Sequence, residues 1–473
     1  MQLPSSSYLA EDTICAISTE LGGAIVIVRV SGPRSFEALE RLSGSEEVAF
    51  RSEPRKMTRV RLYKEKDTPL DDALVVRFKN PQSYTGEDMV EYHLHGGHFI
   101  ANRLIESLLG QGLRQALPGE FSFRSVRNGK LSLFQAQAVA DLIGASNEGA
   151  ISLALEKLSG AQNNLLEQLA NNLRKVAILG EVGIDFADQD IEEVSLPQLK
   201  KQLDPLIGFL DDLKNSYYRG FRLQEGLQVA FIGPPNAGKS SFFNCLLGED
   251  RSIVSETAGT TRDVIKEKLT LRGSSSSVTL RLADTAGLRL TEDAVEKVGI
   301  ERTHKTAQEA DLILFIVDAS APLVDAMNKW NSLSQKLNQS LNAKTIGILT
   351  KCDLVNSTQI QSILQEVAPF GILNWVETSA YQRTGIREAI NTLITFCETR
   401  IQHTPGELIL TRLQHQTATA AALDHLYRAK TATEIDLFAS DIRQALHSLN
   451  PLIGETLPDD ILGKIFSDFC IGK

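Results

Sequence analysis

A glycine-rich segment between an apolar run and an amphipathic run carries residues suited to binding phosphate. Its pattern is Gly233-x-x-x-x-Gly238-Lys239-Ser240. Glycines let backbone N–H groups turn inward around phosphate oxygens, and a helix N-terminus adds positive potential. The Lys239 ammonium can reach the β- and γ-phosphates, and the Ser240 hydroxyl can ligate magnesium. The pattern predicts a P-loop with nucleotide contacts from Asn236, Ala237, Gly238, Lys239, Ser240 and Ser241.

Two downstream segments supply what a triphosphate site needs next. In Gly259-Thr-Thr-Arg-Asp263 a threonine can close over magnesium and the γ-phosphate, as switch I does in GTPases. Asp284-Thr-Ala-Gly287 follows an apolar strand. Its aspartate can approach magnesium through water, and the Gly287 N–H can sense the γ-phosphate. We therefore predict Ser240 and Thr261 as magnesium ligands, with nucleotide contacts from Thr260, Thr261, Asp284, Thr285, Ala286 and Gly287.

A further pair of segments predicts guanine recognition. Asp353 can accept two hydrogen bonds from the guanine N1 and amino group, which adenine cannot supply, and Ala380 can donate its N–H to the guanine oxygen. The usual motif begins with Asn, whereas this chain has Thr350. A hydroxyl has less reach than an amide, so we expect GTP selectivity with reduced affinity. The predicted base-binding positions are Thr350, Lys351, Asp353, Ser379 and Ala380.

Leu288 changes the expected route of hydrolysis. It follows the D-x-x-G segment, where many GTPases place a glutamine that orients the attacking water. A leucine side chain can neither accept nor donate a hydrogen bond, so another group must position the water. The candidates for the group that positions the water are the downstream carboxylates Glu292, Asp293, Glu296 and Glu301, and the residue types alone do not distinguish them.

The elements around these motifs predict three domains. Each nucleotide motif follows a strand, which predicts a Ras-like GTPase domain over residues 226–392. Residues 1–125 alternate strand and helix patterns and predict an α+β domain. Residues 126–225 and 393–473 are helical in pattern, so we expect the GTPase domain to be inserted into one discontinuous helical domain.

Composition places limits on partners and compartment. The net charge of −10 argues against a broad basic surface for nucleic acid. Residues 51–66 nevertheless hold seven basic and two acidic side chains, either as a solvated face or as an RNA-binding one. Five cysteines without a C-x-x-C pair suit a reducing cytosol and argue against a zinc site. Neither a signal peptide nor a membrane span is evident, so we expect a cytoplasmic protein.

The N-terminal region contains two unusual polar patterns. His93-Leu-His95-Gly-Gly-His98 could hold a metal, but the set lacks a completing ligand. A structural role, with glycines allowing close backbone approach to a ligand or helix, is favoured. Arg29 and Glu91 are charged residues within apolar runs. Most such residues face water, and a buried charge would need a partner or a ligand.

Together these motifs resemble one family over essentially the whole chain, the tRNA-modification GTPases MnmE, also called TrmE. The resemblance rests on Tyr84-Thr-Gly-Glu-Asp88, His95-Gly-Gly97, Pro118-Gly-Glu-Phe121, Asn128-Gly-Lys130, Pro235-Asn-Ala-Gly-Lys-Ser240, Ala258-Gly-Thr-Thr-Arg-Asp263, Asp284-Thr-Ala-Gly-Leu-Arg289 and the C-terminal Phe-Cys-Ile-Gly-Lys. It implies an α/β multidomain fold with an N-terminal α+β folate-binding domain, an all-α helical domain and an inserted Ras-like P-loop GTPase domain.

The resemblance also implies partners and chemistry. It implies a homodimer that works with the FAD-dependent MnmG (GidA) protein as a heterotetramer, with no FAD in this chain. Together such proteins modify carbon 5 of the tRNA wobble uridine with an aminomethyl-type group. The one-carbon unit would come from a tetrahydrofolate derivative, with the 5,10-methylene or 5-formyl form bound.

Specific residues match the family's functional positions. Folate-binding positions match Arg29, Glu91, Lys130 and Lys473, and Cys470 matches a cysteine near the folate, where a structural thiol is an equal alternative. Potassium, in place of an arginine finger, would be bound by Asn236, Ser255, Thr257 and Thr260. Ser255 would also contact the nucleotide. The family's water-orienting glutamate matches Glu296, which would act in catalysis beside Lys239 and Gly287.

Two other functional classes remain open on the sequence. One is an RNA- or ribosome-associated regulatory GTPase without one-carbon chemistry. The other is a folate-dependent methyltransferase regulated by its GTPase domain. Folate binding by the N-terminal region would separate the first alternative from the tRNA-modifying function.

Overall fold

The structure is a computed structural model that describes residues 8, 11–65, 68–185, 195–249, 268–273, 277–282, 296–337, 340–372, 374–401, 404, 406–454, 465–466, 469 and 472. The chain forms two compact units. One comprises Met1–Ala140, Leu155–Asp211 and Thr417–Lys473, and the other comprises Asp141–Ala154 and Asp212–Gln416. No helix in the described part of the chain has the length and apolar character needed to cross a bilayer.

Both units combine strands with helices. The strands, in chain order, are β1 (Ile14–Ile17), β2 (Ile25–Ser31), β3 (Thr58–Glu65), β4 (Thr68–Phe78), β5 (Met89–His95), β6 (Arg114–Gln115), β7 (Leu227–Ile232), β8 (Lys268–Arg272), β9 (Ser277–Leu282), β10 (Leu312–Asp318), β11 (Thr345–Thr350) and β12 (Trp375–Glu377). The helices are α1 (Ser35–Ser43), α2 (His98–Gly110), α3 (Glu120–Arg127), α4 (Leu133–Ile143), α5 (Glu148–Leu158), α6 (Ala161–Asp185), α7 (Leu196–Glu225), α8 (Lys239–Glu249), α9 (Glu296–Glu309), α10 (Val324–Leu337), α11 (Ser340–Ala343), α12 (Ser357–Val367), α13 (Ile386–Arg400), α14 (Leu413–Thr431), α15 (Ile435–Ser448) and α16 (Asn450–Ile453).

The first unit contains a six-stranded sheet in the order β3-β4-β5-β2-β1-β6. Its strands pair antiparallel except for β1 with β6. Strand β2 alternates, so Val26, Val28 and Val30 are fully buried against the core that α1 and α2 complete. The opposite face carries Arg29, half-buried, and exposes Ile25 at 60%. One sheet face is therefore packed by helices, while the other presents polar and apolar side chains.

Long helices make up the rest of the first unit. Helix α6 packs against α15, where a Cβ on Gly180 would lie 3.2 Å from the Cβ of Ala439. Small residues at this crossing allow the two helices to approach closely. Phe466 and Phe469, near the end of the chain, pack with Phe123 of α3. The C-terminal residues that the structure describes therefore belong to the same core as α3.

The second unit contains a six-stranded sheet in the order β12-β11-β10-β7-β9-β8. Only β8 pairs antiparallel, and the other strands are parallel. The central strand β10 is apolar and buried on both faces from Leu312 to Val317, as a helix-covered parallel sheet requires. Two separate apolar cores lie on its two sides. This doubly wound arrangement brings the carboxyl ends of β7, β10 and β11 to one edge.

A buried ionic network fixes the start of α3 in the first unit. Glu120, fully buried, accepts hydrogen bonds from Arg114 at 2.6 Å and Arg124 at 3.0 Å. Arg124 also contacts Asp12 at 2.7 Å and Glu87 at 3.1 Å. Burial alone would lower the pKa of Arg124, but the carboxylates of Glu87 and Glu120 raise it above its ordinary value. The network joins the segment before β1, the β4–β5 loop, β6 and α3.

We predict that Glu120→Ala destabilises the first unit by roughly 3–5 kcal/mol, because it leaves buried guanidinium charge without its central partner. The readout is hydrogen exchange in the full-length chain. Amides of β1 and β5 should exchange about a hundredfold faster or more. The matched control is Glu37→Ala, which removes an exposed carboxylate that also pairs with two arginines. Equal protection in both variants would contradict a structural role for the buried network.

Candidate functional site

The glycine-rich loop lies between the end of β7 and the start of α8, where the sequence predicts a P-loop. A Cβ on Gly233 would lie 2.2 Å from the Ile316 carbonyl oxygen, so only glycine fits beside β10. Asn236 and Gly238 adopt left-handed φ angles of 57° and 84°. Left-handed residues that alternate with right-handed ones in a loop turn backbone N–H groups toward one point and form an anion-binding concavity.

The side chains at the end of the loop surround this concavity. The Lys239 Nζ donates hydrogen bonds to the carbonyls of Gly233 at 3.1 Å and Pro234 at 2.6 Å, which holds the ammonium across the loop. Ser240 and Ser241 lie in the first turn of α8, and both are exposed. The helix N-terminus and the lysine therefore lie where phosphate oxygens would be bound, and two serines occupy the same turn.

Thr350 lies at the end of β11 and is buried, with 4% of its surface exposed. Its hydroxyl is 2.7 Å from the carbonyl oxygen of Ala237 and 3.1 Å from that of Val317. The side chain thus binds the backbone of the P-loop instead of pointing into solvent. This contact gives the threonine a positioning role that does not depend on the longer reach of an asparagine.

Lys351 makes a second connection between the base-recognition segment and the P-loop. Its Nζ lies 2.6 Å from Asp318 Oδ2 and 3.1 Å from the Asn236 carbonyl oxygen. Burial alone would raise the pKa of Asp318, but hydrogen bonds from Lys351 and Ser320 hold it below its ordinary value. The aspartate is therefore charged at neutral pH and anchors the lysine beside the loop.

The predicted guanine-binding residues come together at the ends of β11 and β12. Ser379, fully buried, donates its hydroxyl to Asp353 Oδ1 at 2.5 Å. This bond orients one carboxylate oxygen of Asp353. The Ala380 carbonyl lies 3.7 Å from the Cys245 Sγ of α8, so the segment after β12 packs against the helix that follows the P-loop.

Several predicted site residues lie outside the residues that the structure describes. They are Ser255, Thr257, Thr260, Thr261, Asp284, Thr285, Ala286, Gly287, Leu288, Glu292, Asp293, Cys470 and Lys473. Glu296 is the first residue of α9, and Glu301 lies within the same helix.

A second polar site lies on the partly open sheet face of the first unit. Arg29 of β2 stands opposite Glu91 of β5, and its Nε and Nη2 donate to Glu91 Oε1 at 3.0 and 2.8 Å. The guanidinium carbon lies 5.4 Å from the ring centre of Tyr84 and 5.6 Å from that of Phe121. Two charged residues within apolar strands are therefore paired with each other and flanked by aromatic rings.

Lys130 lies near the same site because the turn that carries it packs against the β4–β5 loop. At Gly86, with φ of 78°, a Cβ would be 3.2 Å from Lys130 Cγ. Asn128 donates its side-chain amide to the Thr85 carbonyl at 2.7 Å. The loop that carries Tyr84 thus packs against the turn that carries Lys130. Arg29 and Lys130 were expected here from the sequence, whereas Tyr84 and Phe121 were not expected around Arg29, although both lie in motifs of the family.

The end of the chain lies against the same sheet. A Cβ on Gly472, with φ of 92°, would be 2.1 Å from the carbonyl oxygen of Ile17 in β1. Strand β1 pairs with β2, and Ala16 stands opposite Arg29. Gly472 is therefore positioned next to the strand that neighbours Arg29.

The histidine cluster is explained by local contacts. His95 Nδ1 lies 2.7 Å from Asp71 Oδ1, and His93 Nε2 lies 3.7 Å from Glu91 Oε2. A Cβ on Gly96 would be 1.6 Å from the Gly23 carbonyl oxygen, so this glycine allows a neighbouring backbone to approach closely. Within the described ranges, no group of three or more histidine, cysteine or acidic side chains could hold a metal ion.

The basic stretch at residues 51–66 carries surface ion pairs. Arg59 pairs with Asp72, and Lys56 pairs with Glu53 at 3.0 Å. Lys64 lies 3.8 Å from Glu106 of α2. Neighbouring carboxylates neutralise much of this charge, which favours the solvated-face interpretation over RNA binding.

Comparison with known proteins covers nearly the whole chain. Residues 13–130 match the family model described as the N-terminus of the GTP-binding protein TrmE, and residues 133–470 match the MnmE helical domain. The chain is 36% identical over 481 residues to a tRNA modification GTPase MnmE from Psychrobacter arcticus, covering 100% of this chain and 98% of that protein. It is also 36% identical to the MnmE of Protochlamydia amoebophila, covering 100% of both.

A solved structure of the GTPase Era from Aquifex aeolicus, bound to GDP and aluminium fluoride, also matches. It is 22% identical, covers 44% of this chain and 68% of that chain, and has a TM-score of 0.26.

The two family models together with the observed sheets and helices confirm the expected fold class, an N-terminal α+β region, a helical region and a P-loop GTPase region. The chain belongs to the family of tRNA modification GTPases MnmE.

Proposed function

We propose that this chain is a potassium-activated GTPase that acts with an FAD-dependent partner. It uses a tetrahydrofolate one-carbon unit to modify carbon 5 of the tRNA wobble uridine. The observation that carries the folate part is the Arg29–Glu91 pair, held at 2.8 Å on the partly open sheet face. We propose domain boundaries at 1–125 for folate binding, 226–392 for the GTPase, and 126–225 with 393–473 for the helical domain.

GTP binds with its phosphates in the P-loop concavity. Backbone N–H groups around Asn236 and Gly238 cradle the phosphate oxygens, and the Lys239 ammonium exchanges its loop carbonyl partners for the β- and γ-phosphates. Ser240, with Thr261, holds magnesium. Asp353 accepts hydrogen bonds from the guanine N1 and amino group, and its orientation by Ser379 supports this function.

Hydrolysis transfers the γ-phosphoryl group to water and releases GDP and phosphate. Since Leu288 cannot orient the water, Glu296 performs this step at the start of α9. Asn236, with Ser255, Thr257 and Thr260, would hold a potassium ion, which would supply positive charge in place of an arginine finger. The left-handed conformation of Asn236 supports this assignment, because it places an exposed amide at the edge of the phosphate concavity.

Tetrahydrofolate binds beside Arg29 and Glu91. A pterin edge offers N–H donors and a carbonyl acceptor, which match a carboxylate and a guanidinium that are already held in place. The Tyr84 and Phe121 rings give the site an apolar border suited to a flat heterocycle. Lys130 and Lys473 supply positive charge for the carboxylates of the glutamate tail. Gly472 supports the role of Lys473, because it lies against β1.

The chain works as a cytoplasmic homodimer and as a heterotetramer with the FAD-dependent MnmG protein. The face of the first sheet that carries Arg29 supports dimerisation. It exposes Ile25 at 60% and Leu74 at 42%, both of which would be buried by a second copy. The tRNA is the substrate of the complex, and no membrane is involved.

Thr350→Val is predicted to weaken GTP and GDP binding by roughly tenfold or more, because it leaves the buried Ala237 carbonyl without its hydroxyl donor. Valine keeps the shape of threonine, and the control Thr350→Ser keeps the hydroxyl. Binding is measured by titration of a fluorescent guanine nucleotide. If valine binds like wild type and serine binds more weakly, the hydroxyl does not support the P-loop.

Arg29→Gln and Glu91→Gln are each predicted to weaken 5-formyl-tetrahydrofolate binding by about tenfold or more, because each removes one charge of a half-buried pair. The measurement is isothermal titration of the full-length protein. Arg59→Gln is the matched control, since this arginine pairs with Asp72 on the same sheet but is 77% exposed. Absence of binding to the wild-type chain would refute the folate proposal and favour a regulatory GTPase without one-carbon chemistry.

Replacing potassium by sodium is predicted to slow GTP hydrolysis by about tenfold or more, because a charge-neutralising group is lost from the transition state. Asn236→Gly should remove the dependence on potassium, since glycine keeps the left-handed backbone but lacks the amide oxygen. Glu296→Ala should slow hydrolysis in potassium without weakening GTP binding. Phosphate release measured in both salts is the test, and equal wild-type rates would refute potassium activation.

A further inference from the structure

The hairpin of β8 and β9 separates the two nucleotide-sensing segments of the GTPase region. Strand β8 begins at Lys268, five positions after the 259–263 segment, and β9 ends at Leu282, two positions before Asp284. The two strands pair antiparallel, with Leu269 opposite Leu280. The hairpin is therefore joined to both predicted nucleotide-sensing segments by only a few residues of chain.

Asn147 joins the hairpin to two helix ends. Its side-chain Nδ2 donates to the Leu223 carbonyl of α7 and to the Thr279 hydroxyl of β9, both at 3.2 Å. Its Oδ1 accepts the Ala150 N–H at 2.9 Å and so caps the start of α5. Asn147 is 8% exposed and Thr279 is 2% exposed. One buried amide thus uses three hydrogen bonds to connect α5, α7 and β9.

Other contacts fasten the hairpin to the end of α7. A Cβ on Gly226 would lie 2.2 Å from the Thr279 carbonyl oxygen, so α7 meets β9 at backbone contact. Arg281 of β9 lies 4.6 Å from the ring centre of Phe221 and donates to the Gly226 carbonyl at 3.2 Å. Lys268 pairs with Glu225 at 2.7 Å. Both strands of the hairpin are therefore attached to the last turn of α7.

A cavity of about 180 Å³ adjoins this junction. Asn147, Leu223 and Thr279 line it, together with Cys397 and Ile401 at the end of α13. Close-packed interiors resist displacement, so this space leaves room for the hairpin to shift against the helix ends. The hydrogen bonds of Asn147 would carry such a shift to α5 and α7.

We propose that Asn147 is a positioning residue that couples the nucleotide state of the GTPase region to α5 and α7 through the Thr279 hydroxyl. The consequence for tRNA modification rests on the function proposed above, whereas the coupling itself does not. Asn147 touches neither nucleotide nor folate in this assignment. It transmits the position of the β8–β9 hairpin to helices of the proposed helical domain.

The test is hydrogen exchange in the full-length chain with GDP and with a non-hydrolysable GTP analogue, each with magnesium. In the wild type, amides at residues 147–154 and 219–225 should exchange at rates that differ by about threefold or more between the two nucleotides. Thr279→Val should abolish this difference while GTP hydrolysis stays within about twofold of wild type. Thr279→Ser keeps the hydroxyl and should retain the difference.

A second variant separates coupling from helix capping. Asn147→Asp keeps an oxygen that accepts from Ala150 but cannot donate to the Leu223 carbonyl, so the connection between β9 and α7 should be lost although the cap remains. Asn356→Asp is the matched control, because Asn356 caps α12 at an exposed position. Loss of the nucleotide-dependent difference in Asn147→Asp, but not in Asn356→Asp, supports the proposal.

The outcomes that overturn the proposal are distinct from failure of the proposed function. Retention of the exchange difference in Thr279→Val, or its absence in the wild type, would refute coupling through Asn147. In cells lacking the native protein, modified wobble uridine should be restored by wild type and by Thr279→Ser but not by Thr279→Val. If wild type fails to restore the modification, the one-carbon function is wrong, and hydrogen exchange still decides the coupling.

Discussion

The P-loop must direct several backbone N–H groups toward one point. Residues from several strands of the GTPase region hold the loop in the conformation that does this. Gly233 can approach the Ile316 carbonyl only because it lacks a Cβ. Asn236 and Gly238 provide the left-handed turns. The Thr350 hydroxyl then holds the Ala237 carbonyl from the neighbouring strand end. The parallel order of β7, β10 and β11 is what brings these residues from distant parts of the chain to one loop.

In the first unit, the main constraint is that two charged residues lie within apolar strands of the sheet. Burying a lone arginine would be costly, and a nearby opposite charge compensates only with good geometry and further hydrogen bonds. Arg29 and Glu91 meet these conditions through two hydrogen bonds and two flanking rings. Such a pair adds little to stability compared with apolar residues of similar size. This agrees with the ligand-binding role that we propose for the pair.

The sequence was most informative where local backbone geometry determines the residue type. The P-loop and its flanking strand and helix could be located because glycines and the Lys-Ser pair follow one another along the chain. Strand β1 could not be located from the sequence, since four apolar residues carry little periodic signal. Tyr84 and Phe121 were missed as neighbours of Arg29 because they are 55 and 92 positions away from it in sequence. Contacts of this kind depend on tertiary packing, which leaves no local pattern.

Thr350 shows how a departure from a motif can be explained by packing. The sequence alone suggested a weaker contact, because its side chain is shorter than that of asparagine. In the fold, its hydroxyl is 2.7 Å from the P-loop backbone, while a Cβ on Gly238 would lie 3.3 Å from the same oxygen. A short side chain therefore fits beside the left-handed glycine without displacing it. The distance between β11 and the loop, and not the reach of the side chain, determines which residue can hold the loop.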